Sequence, residues 1–161
     1  MEVLDIYDKN RQLTGKTMNR SQGKVALLDG EYVIQVKCWI LNEENKVLLT
    51  QRRKDKYNGG MWEPTGGLVT TGETTIEAIK RELFEEIGFN LEFEPIITHY
   101  CDVVKSKNNE LLHDLEIDFV ININKSDIDV MLSEEHCDYK WVKRDSDLLD
   151  DYIKEKLVNI R

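Results

Sequence analysis

The chain contains few of the residues that crosslink or interrupt a fold. Three of its 161 residues are cysteine (Cys38, Cys101 and Cys137), an odd number without any Cys-x-x-Cys spacing. This excludes a disulfide framework and a zinc site built on paired cysteines, and it is typical of a reducing cytoplasm. Only two prolines occur and no stretch resembles a linker, so the length predicts a single domain over residues 1–161.

Long apolar runs are also missing. Apolar residues make up 40% of the chain, which is enough for one packed core. Nowhere do ~18 of them follow one another, as a membrane-spanning helix requires. The first ten residues, MEVLDIYDKN, are acidic where a secretory signal has a basic start and an apolar stretch. We therefore expect a cytoplasmic protein without a membrane partner.

Basic residues are outnumbered by acidic ones. The 22 Lys and Arg residues and 31 Asp and Glu residues give a formal net charge of −9. Such a charge disfavours nonspecific binding of nucleic acid, so we expect no stable nucleic-acid partner. The charge is unevenly spread, because residues 46–60 carry +4 whereas residues 126–150 carry −5. The basic segment is either a local anion site or ordinary surface variation.

Alternating apolar and polar residues predict strands in both halves of the chain. In the first half, residues 32–41 and 46–52 flank the turn sequence Asn42-Glu43-Glu44-Asn45, which predicts a hairpin. Residues 53–66 are polar and contain glycines, which predicts a loop. In the second half, the predicted extended segments are residues 91–99, 100–105, 115–123 and 139–142, with a turn at 106–109.

Two helices complete the pattern. Residues 74–87 have apolar side chains at helical spacing, which form one stripe, and Gly88 follows as a C-cap. A second helix is predicted over residues 145–160, capped by Asp145 or Ser146. The order strands, helix, strands, helix predicts an α/β or α+β fold with a mixed sheet between helices.

Three carboxylates share one face of the first helix. Glu82, Glu85 and Glu86 stand at positions i, i+3 and i+4, which places them side by side and away from the apolar stripe. Like charges at this spacing destabilise a helix by ~0.2–0.5 kcal/mol per pair, so a solvated face is the simplest interpretation. A hard cation such as Mg²⁺ or Mn²⁺ would relieve the repulsion, and the neighbouring Arg81 could orient a carboxylate.

A glycine-bearing segment, Gly66-Gly67-Leu68-Val69-Thr70-Thr71-Gly72-Glu73, leads into this helix. Adjacent glycines let the backbone approach a ligand closely and turn a carbonyl toward a metal, although most glycine turns bind nothing. Glu73 stands at the start of the helix, where the helix dipole favours negative charge.

Read together, these residues form the pattern Gly67-x5-Glu73-x7-Arg81-Glu82-Leu83-Phe84-Glu85-Glu86-Ile87-Gly88-Phe89. The pattern resembles the box of the MutT-like Nudix hydrolases at each of its 23 positions. Other parts that resemble this family are Met61-Trp62-Glu63-Pro64-Thr65, Gln51-Arg52-Arg53 and Tyr139-Lys140-Trp141-Val142, so the likeness extends over roughly residues 30–145. The first residues, Asp5-Ile6-Tyr7-Asp8 through Thr14-Gly15-Lys16, are similar to a branch related to isopentenyl-diphosphate isomerase.

The resemblance implies a Nudix α/β/α sandwich, on which residues 1–30 would pack as an N-terminal extension. It also implies hydrolysis of a small-molecule diphosphate, often a nucleoside diphosphate linked to another moiety, with Mg²⁺ or Mn²⁺, and homodimers are common among the relatives. By position, Glu82, Glu85, Glu86 and the carbonyl of Gly66 would hold the metal. Arg81 and Glu73 would orient those carboxylates, and we choose Glu82 as the general base.

Candidates for substrate binding lie outside the box. The basic residues Arg52, Arg53, Lys54 and Lys56 either bind a distal phosphate or belong to a solvated loop. Trp62 either stacks on a base or packs against a helix. Glu135 precedes the last predicted strand, where some relatives place a catalytic or specificity residue.

Other polar residues are expected to take no part. Glu116 and Asp118 share one strand face and are predicted to be exposed to solvent rather than to bind a further metal. His99, His113 and His136 are scattered through the sequence and are predicted to be structural or exposed.

Two other functions stay open. Isopentenyl-diphosphate isomerases carry a cysteine and a histidine near the start of an altered box, but here Gly66 and Leu68 stand at the nearest positions, and no cysteine occurs between Lys54 and Glu73. A domain that binds nucleotide without turnover would be suggested by the loss of a box glutamate, and none is lost. Both observations favour hydrolysis.

Overall fold

The computed structural model describes residues 2–20, 27–102 and 114–160, which contain nine strands, two α-helices and a short 3₁₀ helix at Lys125–Asp127. The predicted turn at 106–109 and His113 lie outside the described residues, as do the side chains of His99 and Cys101. The strands are β1 (Val3–Tyr7), β2 (Leu13–Asn19), β3 (Val33–Leu41), β4 (Val47–Arg52), β5 (Trp62–Glu63), β6 (Thr65–Leu68), β7 (Ile96–Asp102), β8 (Asp114–Asn122) and β9 (His136–Val142). The helices are α1 (Thr75–Ile87) and α2 (Asp151–Asn159).

A seven-stranded mixed sheet forms the centre of the fold. Its order is β5-β4-β3-β8-β7, with β6 also paired to β3 and β9 to β4. Strands β3 and β8 are parallel, from Val33 opposite Asp114 to Leu41 opposite Asn122, and the other pairs are antiparallel. The predicted mixed sheet is confirmed.

Each face of the sheet packs against one helix, because successive side chains of a strand point to opposite faces. Val36 and Cys38 of β3 join a core cluster with Leu83 of α1. Trp39, on the opposite face, joins a second cluster with Ile153 of α2. The prediction of a sheet between helices is therefore confirmed.

Helix α1 has the ends that its sequence predicts. Thr74 and Glu77 form a reciprocal capping box at its start, in which each side chain accepts the other's backbone N–H. Gly88 ends the helix in the left-handed conformation (φ +71°), which glycine adopts without strain. The buried stripe, with Ile79 and Leu83 inaccessible to solvent, turns the opposite face outward.

Several predicted boundaries are wrong. Residues 53–66 are not simply a loop, because they contain β5 and the start of β6. The hairpin of β3 and β4 is paired only at Leu41 and Val47, since β6 occupies the rest of that edge of β3. Helix α2 begins at Asp151 rather than at residue 145 and is capped by Asp150, which accepts the N–H of Ile153 at 2.8 Å.

The N-terminal hairpin of β1 and β2 was not predicted from the sequence. It forms a separate two-stranded sheet and is joined to the start of β3 by an antiparallel bridge between Tyr7 and Tyr32. Leu4 and Ile6 are buried, so β1 contributes to packing. Among the described residues, no helix has the length and apolarity needed to cross a membrane.

Candidate active site

The glycine pair of β6 lies directly against the carboxylate face of α1. A Cβ atom on Gly67 would stand 2.1 Å from Oε1 of Glu82, and one on Gly66 would stand 2.2 Å from the carbonyl oxygen of Val36. The backbone N–H of Gly66 donates to Oε2 of Glu86 at 3.2 Å. Glycine at 66 therefore allows β6 to lie close to the backbone of β3, and glycine at 67 leaves room for the Glu82 carboxylate.

Arg81 connects most of the box carboxylates. Its Nε and Nη2 donate to the two oxygens of Glu73 at 2.8 and 3.0 Å. Its Nη1 donates to Glu82 at 2.6 Å and to Glu85 at 3.1 Å, and Nη2 also donates to the carbonyl of Leu68 at 3.0 Å. These bonds, above all those with Glu73, raise the pKa of Arg81. One guanidinium thus fixes three carboxylates relative to the loop before α1.

Burial raises the pKa values of the two inner carboxylates, Glu82 and Glu86. The Glu86 side chain is 11% exposed, and burial together with the nearby charges of Glu82 and Glu63 raises its pKa well above the usual range. Burial also raises the pKa of Glu82, against the attraction of Arg81. Burial alone would raise the pKa of Glu73 as well, but bonds from Arg81 and Thr70 outweigh it and lower that pKa.

A second group of side chains extends the site across the sheet. Arg52 pairs with Glu63 at 3.0 Å and with Glu135 at 3.2 Å. The His136 side chain has no exposed surface, and its Nε2 lies 3.3 Å from Glu63 and 3.9 Å from Glu86. Glu63 and His136 were not predicted from the sequence, because strand pairing rather than sequence spacing brings them to the box.

The side chains that meet at this site offer carboxylate oxygen atoms as ligands for a metal ion. Within residues 2–20, 27–102 and 114–160, no three His, Cys, Asp or Glu side chains are arranged to hold a metal ion as they stand, and Arg81 bridges Glu82 and Glu85. Glu82 and Glu86 nevertheless lie close together, where burial first and neighbouring carboxylates second disfavour their charged forms. Such a set of oxygens fits Mg²⁺ or Mn²⁺.

The basic residues at the end of β4 and in the loop after it have different surroundings. Arg52 belongs to the site, whereas Arg53 pairs with Asp55 at 3.1 Å and its side chain is half-exposed. Lys54 and Lys56 are exposed. The backbone N–H of Arg53 donates to the carbonyl of Glu135 at 2.9 Å, so the loop is fixed to the segment before β9.

Trp62 and its neighbour Glu63 point to opposite faces of β5. Glu63 lies beside His136, while Trp62 packs against the core cluster on the side of α2. The ammonium of Lys140 lies 4.7 Å from the centre of the Trp62 ring.

The prediction that Glu116 and Asp118 are exposed is wrong. Each residue is 1% exposed, and both lie under α2 among lysines. Lys156 lies 2.6 Å from Glu116 and 2.7 Å from Asp118, and Lys37 lies 2.5 Å from Glu116. The lysines stand far from the carboxylates in sequence, so the pattern of β8 alone did not reveal this buried ion cluster.

The described cysteines differ in exposure. Cys38 is buried in the core, where burial raises the pKa of its thiol, and Cys137 is exposed. The Cys137 sulfur lies 3.6 Å from the carbonyl oxygen of Gln51, beside β4.

Comparison with known proteins agrees with this architecture. An uncharacterized Nudix hydrolase of Listeria monocytogenes is 35% identical over 94 residues, which are 57% of this chain and 54% of that protein. The isopentenyl-diphosphate Delta-isomerase of Pectobacterium atrosepticum is 33% identical over 95 residues, 58% of this chain and 51% of that protein. The chain thus spans about half the length of these curated relatives.

A solved structure and a family model extend the comparison. The crystal structure of a MutT protein from Methanosarcina mazei Go1 has a TM-score of 0.66 at 28% identity and covers 79% of this chain and 91% of that chain. The family model described as NUDIX domain matches residues 31–156. Because that match runs from just before β3 into α2 and covers more than half of the sequence, the chain belongs to the Nudix family.

Proposed function

We propose that the protein hydrolyses the diphosphate linkage of a small molecule, with a nucleoside diphosphate linked to another moiety as the favoured substrate class. The observation that carries the proposal is the crowding of Glu82, Glu86 and Glu63 beside the Gly66-Gly67 strand, where burial raises the pKa of the first two. A protein gains nothing in stability by burying excess negative charge, so this arrangement favours a role in binding a cation.

Glu82, Glu85, Glu86 and the carbonyl of Gly66 are the residues we assign to hold Mg²⁺ or Mn²⁺. When bound, a divalent cation neutralises charge on the diphosphate and lowers the pKa of water. Arg81 bridges Glu82 and Glu85 through Nη1, and Glu73 in turn fixes Arg81 by two hydrogen bonds. His136 lies where it can orient Glu63 and Glu86.

Glu82 is the general base in this proposal. Arg81 donates to its Oε1, so Oε2 is the oxygen that we assign to accept the proton of the attacking water. The water oxygen forms a bond to phosphorus, a bridging P–O bond breaks, and the leaving phosphate group departs with the electron pair.

Substrate contacts are assigned around this centre. Arg53 and Lys54 are exposed on the loop beside the site and are the candidates for a distal phosphate. Arg52 already pairs with Glu63 and Glu135, so its role would be to orient those carboxylates as well as to attract an anion. Trp62 packs on the other face of β5 and could reach only a group that extends around the sheet edge.

The test is a panel of diphosphates incubated with the full-length protein and Mg²⁺ or Mn²⁺. Dinucleotides, nucleotide sugars, oxidised nucleotides and isopentenyl diphosphate are included, and products are separated by mass spectrometry in H₂¹⁸O. We expect one ¹⁸O atom in one phosphate product, which also identifies the phosphorus that is attacked. Conversion of isopentenyl diphosphate to its isomer, or binding of a nucleotide without turnover of any substrate, would contradict hydrolysis.

Glu82→Gln tests the assignment of the base. We expect a loss of turnover of about 10²–10⁴-fold, typical of general-base removal, with unchanged folding by circular dichroism. Glu94→Gln, at an exposed position next to Lys80, is the matched control and should hydrolyse at the wild-type rate. Wild-type turnover by Glu82→Gln would rule out Glu82 as the base.

A further inference from the structure

The N-terminal hairpin lies outside the residues matched by the family model, yet it contacts the loop that leads into α1. The match begins at residue 31, whereas β2 ends at Asn19. The backbone N–H of Thr71 donates to the carbonyl of Val3 at 2.8 Å. The next N–H, that of Gly72, donates to Oδ2 of Asp5 at 3.1 Å. Strand β1 is thus bonded to two consecutive residues of the box loop.

Strand β1 is itself held firmly. Leu4 and Ile6, which flank Asp5, are 0% and 5% exposed, so they bury apolar surface on either side of it. Tyr7 and Tyr32 exchange two backbone hydrogen bonds of 2.8 and 2.9 Å, which tie β1 to the start of β3. The carboxylate of Asp5 therefore has a fixed place relative to the central sheet.

A continuous series of bonds leads from Asp5 to the box carboxylates. Gly72 adopts a left-handed conformation (φ +79°), and the residue after it is Glu73. Both oxygens of Glu73 accept bonds from Arg81, which in turn donates to Glu82 at 2.6 Å. A shift of Gly72 would therefore move Glu73 and change the direction from which Arg81 holds Glu82.

We propose that Asp5 is a positioning residue for the metal-binding carboxylates. By accepting the N–H of Gly72 it fixes Glu73, and through Glu73 it fixes Arg81 and the separation of Glu82 and Glu85. The inference rests on the proposed function in one respect, namely that these carboxylates bind a divalent cation. Asp5 acts only through the loop and is not assigned any contact with substrate.

Three substitutions in the full-length protein separate this role from others. Asp5→Ala removes the acceptor, whereas Asp5→Asn keeps an oxygen that can accept the Gly72 N–H but removes the charge. Asp8→Asn is the control for charge, because Asp8 lies in the turn of the same hairpin. Its carboxylate accepts the backbone N–H groups of Asn10 and Gln12, and its carbonyl accepts that of Arg11. The two readouts are hydrogen exchange of the Gly72 amide and Mn²⁺ binding measured by electron paramagnetic resonance.

Asp5→Ala should accelerate exchange at Gly72 and weaken Mn²⁺ binding by about 3–10-fold. Loss of an outer-shell residue typically costs 10–100-fold, and Asp5 acts on the outer-shell Arg81 only through Gly72 and Glu73. Asp5→Asn and Asp8→Asn should bind Mn²⁺ as the wild type does. Unchanged Mn²⁺ binding by Asp5→Ala would overturn the proposal. Equal weakening by Asp5→Asn or Asp8→Asn would also overturn it, because charge rather than the hydrogen bond would then be responsible.

Neither readout depends on turnover. If Asp5→Ala does not fold, Asp5→Thr replaces it, because threonine favours strands and its shorter side chain lacks the carboxylate oxygen. A wild-type protein that binds Mn²⁺ but hydrolyses no diphosphate would refute the proposed function and leave the role of Asp5 to be judged on these two measurements.

Discussion

The two faces of the sheet both bury carboxylates, but they balance the charge differently. On the side of α1, Glu82 and Glu86 are 12% and 11% exposed, and Arg81 contacts Glu82 while it also serves two other carboxylates. On the side of α2, Glu116 and Asp118 are each 1% exposed and are matched by two lysines.

The pKa values of Glu86 and Glu116 shift in opposite directions. Burial and neighbouring carboxylates raise the pKa of Glu86, so its charged form is disfavoured where it stands. Burial alone would also raise the pKa of Glu116, but Lys37, Lys156 and Tyr152 outweigh it and lower that pKa. The charges of the cluster under α2 cancel, which is typical of a structural ion cluster. The carboxylates beside α1 outnumber their cationic partners, which favours a role in binding a cation.

The largest expected effect is on the α1 side. Glu86→Gln should reduce hydrolysis by about 10³-fold, which corresponds to about 4 kcal/mol of transition-state stabilisation. The metal-free variant should at the same time be more stable than wild type by about 1 kcal/mol, raising its Tm by about 2–4 °C, because a buried charge is removed. Calorimetry in chelator and a hydrolysis assay check the two effects, with exposed Glu92→Gln as the control. A metal-free variant less stable than wild type would contradict the proposed excess of charge.

On the α2 side, the same kind of change should have the opposite effect. Lys156→Met leaves Glu116 and Asp118 short of a partner and should lower the free energy of unfolding by about 3–5 kcal/mol, with the folded protein still active. Urea denaturation gives the size. Lys16→Met removes a lysine that is 64% exposed from its pair with Glu31 and should cost under about 1 kcal/mol. Equal costs for the two variants would remove the distinction between a buried and an exposed lysine.

Acid should weaken the α2 side specifically. Because the folded pKa of Glu116 lies below its unfolded value, its contribution is complete above the unfolded pKa of about 4.3 and is lost as the pH falls through the folded pKa. The difference in unfolding free energy between wild type and Glu116→Gln should therefore shrink by about 1.5–3 kcal/mol on acidification, the size of a hydrogen bond to a charged group. Chemical denaturation between pH 7 and pH 3 measures it, and a difference that is independent of pH would be inconsistent with this assignment.

The smallest effect belongs to the contact of Lys140 with Trp62. Lys140→Met should lower the unfolding free energy by about 0.5–1 kcal/mol, since the ammonium is half-exposed. Lys140→Arg keeps the cation and should stay at the wild-type Tm. A loss of Tm as large in Lys140→Arg as in Lys140→Met would show that the charge is not what stabilises the pair.

Much of the site could be predicted from the sequence because its parts are local. The carboxylates of α1, Arg81 and Glu73 lie within fourteen consecutive residues, and helix geometry together with the cap at Gly88 places them. The alternation in β3 and β8 likewise predicts their strands. The start of α2 was misplaced because Asp145, Ser146 and Asp150 are all suitable caps, and only tertiary packing selects among them.

The remainder depends on contacts between distant residues. His136 reaches Glu63 only because β9 and β5 both pair with β4. The glycine-bearing β6 lacks the alternation of a strand, and its pairing with β3 is what makes it one. The burial of Glu116 depends on Lys37 and Lys156, which come from another strand and from α2.

The parallel pairing of β3 with β8 also bears on how the chain folds. Val33 stands opposite Asp114, so the first pair of the sheet centre closes a loop of about 80 residues, and such long closures slow folding. The carboxylate helix is defined by contacts that are local in sequence, while the lysine-balanced cluster needs β8 and α2 from the last third of the chain. A ribosome-bound chain that ends before β8 would carry the box residues without the strand that completes the centre of their sheet.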